Sequence, residues 1–154
     1  MSTIRDPLAD HLLTPENAAM IVIDYQSSQI AAVRSMDPDL VLKNIVSTLK
    51  TAKAFGLPIG LPIVHSTINV ASGRGKPTAP ELAELPEDNS PIDRTTLNAW
   101  EDADFLSAVR ATGRRKLILC ALWTAICMAF PALDALKGGL RRVPRGGRHR
   151  RDVC

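Results

Sequence analysis

Three short apolar runs punctuate the chain, and between them apolar positions recur at helical spacing. The first run, residues 18–24 (AAMIVID), is continuous and rich in β-branched residues. A Pro-Glu-Asn turn precedes it and a charge stops it, the pattern of a strand buried on both faces of a parallel sheet. The second run, residues 58–67 (PIGLPIVHST), contains Pro62, so its strand is predicted to start near Ile63. The third, residues 116–122 (KLILCAL), predicts another buried strand. Asp37-Pro38-Asp39 opens a helical pattern in which Leu40, Ile45, Leu49, Ala52 and Phe55 share a side, ended by Gly56 and Pro58. Residues 102–112 predict a second helix, with Phe105, Leu106 and Val109 on one side and Gly113 closing it. Residues 125–137 predict a third, with Thr124 as N-cap, Pro131 in its first half and Gly138-Gly139 as its stop. Residues 69–98 form a long connection in which only residues 80–85 suit a helical turn. Long loops of this kind in compact domains are often functional.

The resulting order is strand, helix, strand, long loop, helix, strand, helix. Strands alternating with helices imply right-handed crossovers and a parallel sheet covered on both faces. The 154 residues suffice for one domain with one sizeable core. No internal repeat is visible. Neither GxGxxG nor GxxxxGK[ST] occurs, so nothing argues for a dinucleotide or a nucleotide phosphate loop.

Charge changes this picture mainly at one end. The formal net charge is +3, but residues 139–154 hold six Arg and one Asp. With those set aside, the 19 basic and 16 acidic residues fall to 13 and 15, so the body is mildly acidic. An aromatic content of 4% disfavours modules that stack bases on exposed rings. The first twenty residues carry early acids and no signal-peptide apolar run, and no stretch is long enough to cross a membrane. Cys120, Cys127 and Cys154 form no CxxC pair and no metal spacing, which points to a reducing cytoplasm.

In open α/β sheets, sites gather at the carboxyl ends of the strands. Asp24 ends the first strand, and Cys127 follows the third within the first turn of the next helix. A helix N-terminus lowers a thiol pKa, and the thiolate is the nucleophile. Asp24 could take the thiol proton and later return it to a leaving amine, with a nearby cation keeping both groups ionised. The backbone N–H groups of Ile126 and Cys127 could hold a tetrahedral oxyanion. Together these describe acyl transfer from an amide. A buried structural Cys and a strand-capping Asp are, taken singly, the commoner explanations.

Four stretches carry a resemblance that adds to this reading: AAMIVIDYQ (18–26), GLPIGLPIVHSTINVASGRGKPT (56–78), PIDRTTLNAWED (91–102) and ATGRRKLILCALWTAICMAFPALDAL (111–136). They resemble the isochorismatase-like cysteine hydrolases, in particular the YcaC-like branch. The resemblance is nearly continuous from Leu13 to Gly138. It implies a three-layer, Rossmann-like α/β/α sandwich around a six-stranded, mainly parallel sheet. It also implies a catalytic Asp at Asp24 and a nucleophilic Cys at Cys127. The usual catalytic Lys is replaced by Arg94 in PIDRTTLNAW; Lys116, inside a strand pattern, is a poor candidate. Arg stays charged and grips a carboxylate with two bonds, but cannot shuttle a proton at neutral pH. Thr124-Ala125-Ile126-Cys127 departs from the family's usual T-E-V-C. The implied activity is hydrolysis of a C–N bond in a small amide, without metal or other cofactor. The nicotinamidase metal set has no counterpart, since His11, His65 and His149 are scattered. Gln26, Trp100 and Trp123 are candidates for substrate contacts. Relatives of this kind form homo-oligomers.

The resemblance stops at Gly138. Residues 1–138 read as a partial hydrolase domain, and residues 139–154 as an Arg-rich, disordered tail. One choice of codons for the tail, read one base out of frame, regenerates a strand close to the family's own, so a shift of frame is expected in the DNA. On that reading the C-terminal part of the sheet is missing, an edge is left unpaired, and the product is an inactive family member. A nucleic-acid-binding tail is the third and least favoured reading, because the acidic body offers no second contact surface.

Overall fold

All six residues of β1 (Ala18–Ile23) are buried, as a continuous apolar run flanked by strands on both sides must be. In the computed structural model, which describes residues 12–56, 61–82, 90–139 and 141–144, β1 is the central strand of a five-stranded parallel sheet. The order is β3-β2-β1-β4-β5, with β2 at Ile63–Ile68, β3 at Ile92–Arg94, β4 at Lys116–Ala121 and β5 at Arg141–Pro144. Register is set by Met20 opposite Ile63 on one side and Ala18 opposite Lys116 on the other.

Alternation along the strands sends side chains to two cores. Ala19, Ile21, Ile23, Leu117 and Leu119 meet Phe105 and Val109 of α3 (Ala103–Ala111), with Ala132 and Ala135 of α4 (Ala129–Lys137). Met20, Val22 and Cys120 meet Ile30 of α1 (Ser27–Ala31), with Ile45, Leu49 and Ala52 of α2 (Pro38–Gly56). The result is the expected three-layer α/β/α sandwich. The Asp102 carboxylate caps α3 by accepting the Phe105 N–H at 2.9 Å.

Besides α1, which the sequence reading lacks, the structure departs from that reading in three places. β3 was not foreseen, because three residues carry no readable periodicity; it pairs with β2 from Ser66 opposite Ile92 to Ile68 opposite Arg94. Thr124 does not cap the third long helix. It opens a π-helical turn, Thr124–Met128, with Trp123 in the cap position and α4 following. The Arg-rich segment is not irregular from residue 139 onward. Its backbone adds β5 to the edge of β4, from Lys116 opposite Arg141 to Leu119 opposite Pro144. Ladder pairing needs only backbone groups, and the proline falls at the strand end, where a missing donor is tolerated. Residues 145–154, and with them the rest of the expected tail, lie outside the described residues. No helix among the described residues is long and apolar enough to cross a membrane.

Candidate active site

Strand order reverses between β1 and β4: β2 and β3 lie to one side of β1, β4 and β5 to the other. The carboxyl ends of strands flanking such a reversal form a crevice where α/β sheets bind ligands. Asp24 leaves β1 there, and the turn holding Cys127 leaves β4 there.

Asp24 has φ +61°, a left-handed conformation that Asp tolerates better than most side chains. Its N–H donates to the Ser66 carbonyl at 3.1 Å and its carbonyl accepts the Gln26 N–H at 2.8 Å. The side chain is 2% exposed, and Oδ2 meets Arg94 Nη2 at 2.6 Å. Arg94, the last residue of β3, is equally buried. Its Nη1 donates to the Thr96 carbonyl and, at 3.5 Å, to that of Leu97. Two residues seventy positions apart are thus brought together as one ion pair.

Burial pushes the Asp24 carboxyl above the ordinary carboxylate range, against the pull of Arg94 and of a contact with the Cys127 thiol. Oδ1 is buried and has no well-formed hydrogen bond among the described residues, leaving it able to accept a proton. Cys127 is buried in the first of the two cores. Its thiol is pushed up to about 11, first by burial, then by the charge of Asp24 and its hydrogen bond; Arg94 and the residue's own N–H oppose the rise. The thiol is therefore neutral at rest. This corrects the expectation of a helix terminus and a cation holding it ionised, because burial and the adjacent carboxylate outweigh both.

The oxyanion donors also divide. The Ile126 N–H is already engaged, donating to the Trp123 carbonyl at 3.1 Å within the π-helical turn. The Ile126 donor of the expected pair is therefore not free at rest.

The candidates for substrate contacts are held by their surroundings. Gln26 is fully buried, its carbonyl accepting the Ile68 N–H at 2.9 Å and its amide donating to the carbonyls of Ile68 (3.1 Å) and Lys76 (2.5 Å). It clasps the loop after β2, and a Cβ on Gly75 would sit 2.9 Å from its amide nitrogen. Trp100 is half-buried and meets Phe105 edge to face, with ring centroids 5.9 Å apart. Trp123 borders the Cys127 turn and donates from Nε1 to Gln29 of α1 at 2.9 Å. Lys116 lies at the start of β4, away from the strand ends that hold the site, with Nζ donating to the Leu12 carbonyl at 2.7 Å.

Sequence reasoning missed Asp93, whose carboxylate accepts the Val70 and Ala71 N–H groups and the Thr67 hydroxyl, ordering the loop after β2. It also missed Asn98, an Asn two residues before the Trp100 N–H it caps, a spacing that is a readable signal. A cavity of about 490 Å³, lined by residues including His65, Thr67, Thr78, Leu82 and Asp93, opens on the sheet face away from Cys127. His65 there bonds Thr78 at 3.0 Å, and burial holds its pKa down at about 4. His11 and His149 lie outside the described residues. Among the described residues, no three His, Cys, Asp or Glu side chains are grouped to hold a metal.

A family model for the isochorismatase domain matches residues 18–143. The chain is 35% identical over 128 residues to "Probable hydrolase YcaC" of Escherichia coli K12, covering 82% of this chain and 59% of that one. It therefore spans about three-fifths of that relative. The crystal structure of the Escherichia coli YcaC gene product, an octameric hydrolase of unknown specificity, superposes with a TM-score of 0.76 at 34% identity, covering 88% of this chain and 64% of that one. YcaC from Pseudomonas aeruginosa, with hexane-2,5-diol and covalent acrylamide, gives a TM-score of 0.73 at 34% identity, with coverage of 87% and 64%.

Proposed function

The chain belongs to the isochorismatase family, and from that premise we propose that it is a hydrolase of small amides that attacks through Cys127. The observation that carries the reading is a buried Asp24–Arg94 ion pair whose carboxyl also contacts the Cys127 thiol.

With the thiol neutral at rest, attack and deprotonation go together. Sγ forms a bond to the amide carbon while Asp24 takes the thiol proton. The tetrahedral oxyanion meets the Cys127 N–H, and the Ile126 N–H if it leaves Trp123. The C–N bond then breaks, its electron pair going to nitrogen together with the proton from Asp24. Water attacks the thioester with Asp24 again as base, releasing the acid and restoring the thiol. Arg94 keeps the carboxylate charged between these steps and transfers no proton.

The covalent acrylamide on the Pseudomonas aeruginosa YcaC supports the reading, since acrylamide is an electrophile that thiolates attack. The octameric Escherichia coli relative supports assembly of this chain into a homo-oligomer. Free thiol chemistry suits a reducing compartment, and the reading places the protein in the cytoplasm.

The test is ammonia release from a panel of small aliphatic and aromatic amides, with Cys127→Ser alongside. Turnover that Cys127→Ser abolishes, with an acyl adduct trapped on Cys127, is the expected result. Turnover that survives in Cys127→Ser would overturn the mechanism.

A further inference from the structure

Arg94 is aimed by the segment that follows it. Its guanidinium lies between Asp24 and the carbonyls of Thr96 and Leu97, so those carbonyls set where the cation sits. The next residue, Asn98, is buried, and its two side-chain ends do different things. Oδ1 accepts the Trp100 N–H at 3.1 Å and starts the helical turn Ala99–Glu101. Nδ2 reaches across to Asp134 Oδ2 at 2.8 Å, with a longer contact to Glu101 at 3.5 Å. Asp134 lies on α4, the helix that continues directly from the turn holding Cys127. Capping the turn explains the oxygen. It does not explain an amide nitrogen placed on a helix thirty-six residues away.

We propose that Asn98 is a positioning residue: its side-chain amide straps the carbonyl cradle of Arg94 to α4, the helix that follows the Cys127 turn, and so fixes the spacing of guanidinium, carboxylate and thiol. The proposal deepens the reading of Cys127 as nucleophile and rests on it. Asn suits both duties because it accepts and donates through one group. Asp would cap equally well and could not donate. It would also set a second carboxylate against Asp134.

That difference separates positioning from simple capping. Iodoacetamide is the probe, with the label assigned to Cys127 by peptide mass spectrometry from about pH 6 to about pH 10. Asn98→Asp keeps the cap and breaks the strap. It is expected to displace the Cys127 alkylation profile toward higher pH, with labelling at pH 8 about threefold slower, as the guanidinium that lowers the thiol pKa loosens and the more basic thiolate offsets part of the loss. Asn98→Asp combined with Asp134→Asn reverses donor and acceptor across the same gap. It is expected to return the profile to that of the parent. Asp134→Ala cuts the bond from the more exposed helix and should give the shift of Asn98→Asp, so the test stands even where Asn98→Asp folds poorly. A parent-like profile in Asp134→Ala overturns the proposal. So does a double variant that stays shifted, or a lower melting temperature with no change of profile. Cys127→Ser separates the two levels. Undiminished ammonia release there defeats the nucleophile reading, whereas abolished release with an unshifted Asp134→Ala profile defeats the strap alone.

Discussion

Replacing Asp24 by Asn should make Cys127 more reactive toward a small alkylating agent while destroying amide turnover. The thiol pKa is about 11, raised first by burial and next by the Asp24 charge, so at pH 8 about one thiol in a thousand is ionised. Asn is nearly isosteric, but it removes the negative charge and leaves Arg94 uncompensated beside the sulfur. Assigning the carboxylate about one unit of the rise, its loss is worth about 1.4 kcal/mol to the thiolate and raises the ionised fraction about tenfold. A thiolate of lower pKa is a weaker nucleophile, with a Brønsted slope of about 0.4–0.5, which takes back about threefold. The net expectation is alkylation about threefold faster at pH 8. Amide hydrolysis loses its general base, and with it about 10²–10⁴ in rate. The assay is timed iodoacetamide labelling with Cys127 and Cys120 quantified separately. Cys120 is buried in the other core, so it reports any opening of the fold. Alkylation of Cys127 that is slower or unchanged, with Cys120 still protected, would refute the account of how Asp24 sets the thiol.

The other predictions concern stability and pH. Arg94→Ala leaves Asp24 buried without its countercharge and should cost about 3–5 kcal/mol in urea denaturation; a midpoint equal to the parent's would show the pair carries no weight. Arg94→Lys keeps the charge but loses the fork that holds Asp24 and the Thr96 carbonyl together, and should cost less than Arg94→Ala in the same assay. Asp102→Ala removes the α3 cap and should cost about 1 kcal/mol, read as a lowered thermal midpoint. The folded Cys127 pKa is raised, so the folded state keeps a proton that the unfolded chain loses as pH passes about 9, and stability should fall between there and about 11. That alkaline loss should be absent in Cys127→Ser; a parallel loss in both would place its origin elsewhere.

Much of this arrangement was legible in the residues. A long β-branched run ended by Asp24 can hardly be other than a central strand, and the same logic placed β4 ahead of Cys127. Periodicity gave the bounds of α2 and α3 nearly to the residue, although Leu40 and Phe55 of the expected α2 stripe are exposed and only Ile45, Leu49 and Ala52 enter the core. Signals failed where an element is short or where backbone alone makes the bond. β3 is three residues long, and its inclusion depends on pairing with β2. β5 reads as a polar, Arg-rich stretch, and its pairing with β4 is a matter of backbone groups. The protonation state of Cys127 was misjudged for a related reason. A helix start is visible in sequence, but the degree of burial and the distance to a carboxylate brought from β1 are tertiary facts. The bonds of Gln26 are tertiary facts likewise: nothing local shows that its amide is turned to the loop after β2.

A parallel sheet also accounts for how Asp24, Arg94 and Cys127 are brought together from three strand ends. Every strand delivers its carboxyl end to one rim, so a group placed just after β1, at the end of β3 and just after β4 cannot be far from the others. Distance alone does not give reactivity. Arg94 and Asp24 neutralise each other at 2.6 Å, and a fully neutralised carboxylate would be a poor base. Burial works against that pairing, holding the carboxyl above its ordinary range even with the guanidinium in contact. The same burial keeps the thiol protonated. A thiol that stays neutral is guarded against oxidation and stray electrophiles, because both act on the thiolate. On the proposed mechanism its activation depends on Asp24, the carboxylate in contact with it.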